Sequence, residues 1–166
     1  YLSEITMSIM QKQRMRDPES GYARDFVKML KIIMPQCRDK GIKLIANAAG
    51  VNAPACLAAT KQALSEIGLQ GIRIGIVEGD DILDKLDVLT NAGEELVNMD
   101  TGAALASVKN DIISANVYIG AASIVEALQQ GADIVITGRA SDPSLAVAPL
   151  VYEFGWSFED FDKIAS

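Results

Sequence analysis

The chain has 166 residues, a size that suits one domain with a single core. Hydrophobic residues make up 49% and charged ones 22%, as in a globular protein rather than a disordered one. The net charge is −7, and the only concentrated basic stretch runs from Lys12 to Arg16, which argues against a nucleic-acid partner.

No apolar run approaches membrane-spanning length, so a membrane partner is not expected either. Cys37 and Cys56 are far apart and lack Cys-x-x-Cys spacing, which points to buried thiols and a cytoplasmic setting. There is no histidine. Proton transfer within these residues would fall to a carboxylate, Tyr, Lys or Cys, and neither a Ser-His-Asp triad nor a His-ligated metal can be built.

In chain order, Leu2, Ile5 and Ile9 follow helical spacing, and the pattern opens at Tyr1-Leu2 as if inside a longer protein. Asp17-Pro18 to Gly21 breaks it. Phe26, Met29, Leu30, Ile33 and Cys37 then mark one face of a second helix, in which Pro35 is expected to kink the chain or start a new turn. The methionines at 7, 10, 29 and 34 read as packing. Ile42 to Ala46 reads as a strand, Pro54 to Ile67 as a helix ended by Gly68, and Ile72 to Val77 as the next strand. A helix carrying Ile82, Leu86 and Leu89 follows. A short strand is expected near Leu96-Met99, another at Ile113 to Ile119, a helix at Ala121 to Gln130, and a strand at Ile134 to Thr137. Helices at Pro143 to Phe154 and Phe158 to Ala165 close the chain.

Strands alternating with helices predict an α/β domain over 1–166: three layers, a mainly parallel sheet flanked by helices, Rossmann-like. Parallel strands would bring the loops at Asn47, Glu78, Tyr118 and Arg139 to one crevice. Gly50-Val-Asn52 and Gly120-Ala-Ala-Ser123 precede helices without an acidic residue, so their N–H groups could hold an anion. Equally, their small residues could serve only to turn strand into helix. Neither is a G-x-G-x-x-G fingerprint or a P-loop. Asp80 and Asp81 read as caps of the following helix, which leaves Glu78 for a general base or, with Asp100, a magnesium site. Arg139, after Thr137-Gly138, suits bidentate capture of a carboxylate or phosphate. Its alternative partner, Asp142, reads as the N-cap of a helix with Pro143 in its first turn. Tyr118 reads as a core ring with its hydroxyl at the rim.

Several motifs occur in a characteristic order: Glu4-Ile-Thr6, Asp17-Pro18, Gly21-Tyr22, Ala46-Asn-Ala-Ala-Gly50, Val77-Glu-Gly-Asp-Asp81, Asn98-Met-Asp-Thr-Gly102, Ser114-Ala-Asn-Val-Tyr-Ile-Gly120 and Ile136-Thr-Gly-Arg-Ala-Ser-Asp142. In this the chain resembles the acyclic terpene utilization (AtuA) family, long described as a domain of unknown function. The resemblance implies an internal part of that family's N-terminal domain, without the first glycine-rich strand and its loop. It also implies a ferredoxin-like part that follows, or a separate small subunit as partner. The family context is the breakdown of citronellol- and geraniol-like compounds through branched acyl-CoA thioesters.

The expectation is therefore part of a hydratase or lyase acting on an acyl-CoA or small carboxylic acid. Arg139, Asn47, Gly50, Asn52, Tyr118, Gly120 and Gly138 would form the substrate or anion site, and Glu78 and Asp100 would move protons. A non-catalytic acyl-CoA-binding or assembly subunit is the alternative, and a nucleotide-dependent oxidoreductase is third. The cofactor stays unknown at this level.

Overall fold

The computed structural model describes residues 1–165. Three short strands, β1 (Leu44–Ala46), β2 (Ile74–Val77) and β3 (Ile134–Thr137), form an all-parallel sheet in the order β1-β3-β2. Helices α1 (Glu4–Arg16), α2 (Arg24–Asp39) and α3 (Ala53–Glu66) precede β2, with β1 between α2 and α3. The short α4 (Leu86–Asn91) and then α5 (Ala122–Gln129) precede β3, and α6 (Ser144–Phe154) and α7 (Phe161–Ile164) follow it.

Alternation along the strands divides the core into two layers. Ile134 and Ile136 face the layer built by α1, α2 and α3, where Phe26, Leu30 and Met34 are almost fully buried. Val135, one residue out of phase, joins Ile124, Val125 and Leu128 of α5 and Ala148 and Val151 of α6 on the other face. All four residues of β3 are buried, as expected of a central parallel strand covered on both sides. This is an α/β architecture with helices on both faces of the sheet.

Several expectations need correction. No regular strand forms at 113–119. Asn116 pairs with Asp81 and Ile119 with Ala140 only as isolated bridges, and Val117 and Tyr118 are exposed. The segment crosses the exits of β2 and β3, with Val117 N–H donating to Asp80 O and Ile119 N–H to Arg139 O. A ladder needs a neighbouring strand edge along its length, and here only loop backbone is offered.

The strand near Leu96-Met99 is likewise reduced to one bridge, Val97 with Ala104. The last helix is shorter than expected. α2 runs through Pro35 as one helix, because burial of Phe26, Leu30, Met34 and Cys37 along one face offsets the lost backbone bond. In α1 the apolar face is not the one that Ile5 and Ile9 suggest. Ile5 is 74% exposed, whereas Met7 and Met10 turn inward. The flexible thioether of Met10 lies against Gly50, where a Cβ would stand 2.5 Å from its sulfur.

Candidate functional site

Because the sheet is parallel, Asn47, Glu78 and Gly138-Arg139 leave it at the same edge. β3 hands over to its loop at Gly138, whose N–H donates to Val77 O (3.1 Å). A Cβ on Gly138 would lie 2.0 Å from Asp80 Oδ1, so this position excludes any side chain while Asp80 keeps its place. Asp80 is buried. Its Oδ2 accepts from Arg139 N–H (2.8 Å) and from Asn116 Nδ2 (3.0 Å), tying together three loops. Asp80 is thus not a helix cap. Arg139 N–H lies inside the protein beyond the last ladder bond and requires an acceptor, which Asp80 supplies. Asp81 alone serves the turn that follows, accepting from Leu83 N–H (3.1 Å).

The Arg139 side chain is only 7% exposed. Its Nη1 donates to Leu2 O (2.8 Å), Ala140 O (3.2 Å) and Asp142 Oδ1 (3.1 Å), and its Nη2 to Glu4 Oε1 (3.4 Å). Its Nε is buried without a hydrogen-bond partner among the described residues. The Tyr118 ring covers the guanidinium, with its centroid 4.3 Å from Cζ, and the Tyr118 hydroxyl donates to Glu4 Oε1. Burial alone would lower the Arg139 pKa, but contacts with Tyr118 and Asp142 outweigh it and the group stays charged. The Glu4 carboxyl is held below the usual carboxylate range, first by the Tyr118 hydroxyl, then by a backbone hydrogen bond, with Arg139 adding to both.

Two sequence expectations change here. Tyr118 is no core ring: it is 56% exposed and lies over a cation. Asp142 makes no side-chain cap to α6, which begins at Ser144, and turns instead to Arg139. A buried cation left without a carboxylate would be far costlier than a missing cap.

The β1 loop is a separate, well-filled unit. Asn47 is buried, its Oδ1 accepting from the nitrogen of Tyr1 (2.9 Å). Gly50 has φ +57, and a Cβ there would stand 2.3 Å from Gly21 O. Asn52 caps α3 by accepting from Ala55 N–H (3.4 Å), and its Nδ2 donates to Pro18 O and Ser20 O (2.7 Å each). The Asp17–Gly21 turn therefore packs on the start of α3, and the glycine and asparagine there serve that packing. One backbone bond, Ala49 N–H to Thr137 O (3.1 Å), joins this loop to the end of β3.

Gly120 is exposed with open space about it, and the start of α5 has no side-chain cap. Glu78, Arg73, Ser123 and Glu126 line a concavity of about 460 Å³ between β2 and α5. Asp100 sits in an exposed turn in which Asp100 and Thr101 N–H donate to Asn98 Oδ1 (3.0 and 2.8 Å). The structure thus brings Arg139, Gly138 and Tyr118 together, groups Asn47, Gly50 and Asn52 at the adjoining loop, and sets Glu78 and Asp100 in other surroundings. Among the described residues, no cluster of His, Cys, Asp and Glu is arranged to hold a metal.

Sequence reading missed Asp80 and Glu4 as members of the arginine cluster. The available signal for Asp80 was redundancy, since one of two adjacent aspartates suffices to cap a short helix.

The fold and this cluster define an α/β domain with a charged, mostly buried arginine at the carboxyl end of its central strand. Over residues 1–166 the chain matches the family model described as acyclic terpene utilisation family protein AtuA, and it belongs to that family. That membership implies involvement in acyclic terpene utilisation. No curated protein and no solved structure matches the chain. No helix among the described residues is long and apolar enough to cross a membrane.

Proposed function

We propose that this domain holds the anionic group of a small branched acid (its carboxylate) or of the corresponding acyl-CoA (a phosphate, the acyl carbon being a neutral thioester), as part of a hydratase or lyase of acyclic terpene utilisation. The observation that carries the reading is the convergence of Arg139 Nη2 and the Tyr118 hydroxyl on one carboxylate oxygen, at the strand-exit edge of a parallel sheet. A guanidinium and a phenol aimed at the same point form a carboxylate receptor of the charge-assisted kind. Of the two carboxylates expected to move protons, Glu78 is the one that lines a concavity, which makes it the first candidate for a general base. A second reading, a non-catalytic acyl-CoA-binding or assembly subunit, draws on the same geometry. Glu78 and Asp100 do not join the arginine cluster, and Val97 and Met99 beside Asp100 are exposed.

The test is calorimetric titration of the full-length protein with isovalerate and isovaleryl-CoA. Arg139→Lys keeps the charge but loses the planar fork, and binding is expected to weaken by roughly 1–3 kcal/mol. Unchanged affinity, together with a non-additive loss of stability in Arg139→Ala and Asp142→Ala, would make Arg139 a brace and end the binding reading. Turnover that survives Glu78→Gln would remove Glu78 as the base.

A further inference from the structure

We infer that Glu4 is an internal, displaceable occupant of the carboxylate site formed by Arg139 and Tyr118, so that a substrate acid enters by exchanging with it. The inference rests on the anion-binding reading above and specifies how that site is regulated.

The receiving side and the occupying side are built very differently. Arg139 is 93% buried and anchored through Nη1 to Leu2 O, Ala140 O and Asp142, so its position does not depend on Glu4. Glu4 has a 72% exposed side chain on the first turn of α1, and its contact with Nη2 is a long 3.4 Å. When Glu4 turns out to solvent, Asp142 stays paired with the guanidinium, so the buried cation still keeps a carboxylate. Both donors, Nη2 and the Tyr118 hydroxyl, meet at a single oxygen, Glu4 Oε1. A free carboxylate placed there would receive the same two bonds.

Charge decides between addition and exchange. Glu4 and Asp142 already set two negative charges against the one positive charge of Arg139, and the Asp80 carboxylate lies against the Arg139 backbone. A third carboxylate arriving at Nη2 would meet net repulsion in partly desolvated surroundings. If Glu4 swings away, the incoming acid leaves the local charge as it was. Apparent affinity is then the intrinsic affinity reduced by the fraction of molecules in which Glu4 is out.

The experiment compares isovalerate binding to the full-length wild type, Glu4→Ala, Glu4→Ala with Tyr118→Phe, and Glu4→Ala with Arg139→Lys, each checked for folding by its circular dichroism melt. Removing the occupant is expected to tighten binding by about tenfold. Removing a donor of the receiving site as well, with Tyr118→Phe or Arg139→Lys, is expected to cancel most of that gain. Equal affinity in wild type and Glu4→Ala, with weaker binding in Glu4→Ala carrying Arg139→Lys, would overturn the exchange and leave the carboxylate site standing. Absence of isovalerate binding in both would overturn the exchange and the carboxylate site together. The phenol variant keeps the test decisive if Arg139→Lys fails to fold.

Discussion

Gly138 and Asp80 occupy each other's space, and one methyl group is enough to separate them. In Gly138→Ala the new Cβ would fall 2.0 Å from Asp80 Oδ1, so the carboxylate must withdraw from Arg139 N–H. A buried donor left unpaired costs about 1–3 kcal/mol, and urea denaturation should show a loss of that size. Glu4 supplies the pH counterpart. Its carboxyl is held below its ordinary pKa, chiefly by the Tyr118 hydroxyl, so the unfolded chain takes up the proton first as pH falls. Its contribution to stability is therefore present above the unfolded pKa and lost as pH drops through the folded one. Melting temperature followed downward from about pH 5 should fall more steeply in wild type than in Glu4→Gln, which has no carboxyl to titrate. Coincident slopes would remove the Glu4 contact from the acid response. At the thiols the effect is the opposite: Cys56 is buried and free, and burial pushes its pKa up to about 12, so it packs rather than reacts.

Among the elements, α3 shows how one side chain can organise a helix start and the chain packed over it. Asn52 accepts from Ala55 N–H and donates to two carbonyls of the Asp17–Gly21 turn. Asn52→Ala would lose the cap and leave both carbonyls short of a donor. A cost of about 1–3 kcal/mol is expected, with faster hydrogen exchange confined to the start of α3. Exchange that quickens uniformly over the chain would mean that Asn52 acts on global stability alone. The segment at 113–119 illustrates the limit of periodicity. Its alternation of Ile113, Ala115, Val117 and Ile119 suits a strand, but β2 already has β3 on its inner side and the segment meets only loop backbone. Propensity favours a strand, but the segment is held across the strand exits by loop backbone and does not run along the free outer edge of β2.

At the scale of the whole molecule, a sheet of only three short strands depends on the helices that cover it. Leu30, fully buried between α2 and the sheet, is expected to cost about 2–5 kcal/mol when changed to Ala. Ile5→Ala, at a 74% exposed position on α1, should change stability by less than about 0.5 kcal/mol. Thermal denaturation of both variants checks the assignment of faces, and a large loss at Ile5 would show that this side of α1 is covered in solution. Leu2 and Glu4 set the start of α1 against Arg139, so the seating of this helix and of the arginine are linked.

How much was legible in advance follows from the range of the forces involved. The three strands, α2, α3, α5 and α6 were readable because each carries its own periodic apolar signal or cap, and a parallel sheet follows from their alternation. Strand ends then located the loops of Asn47, Glu78 and Arg139 at one edge, and Arg139 stood out as a single cation there. The partners of Arg139 were not readable. Glu4 is 135 residues away in the chain, and Asp80 contacts Arg139 across 59 residues, distances over which no local pattern operates. Whether Asp142 caps a helix or neutralises a buried guanidinium is likewise a competition between two acceptable local arrangements. Only the tertiary structure decides it, because burial of the arginine sets the cost of leaving that charge unpaired.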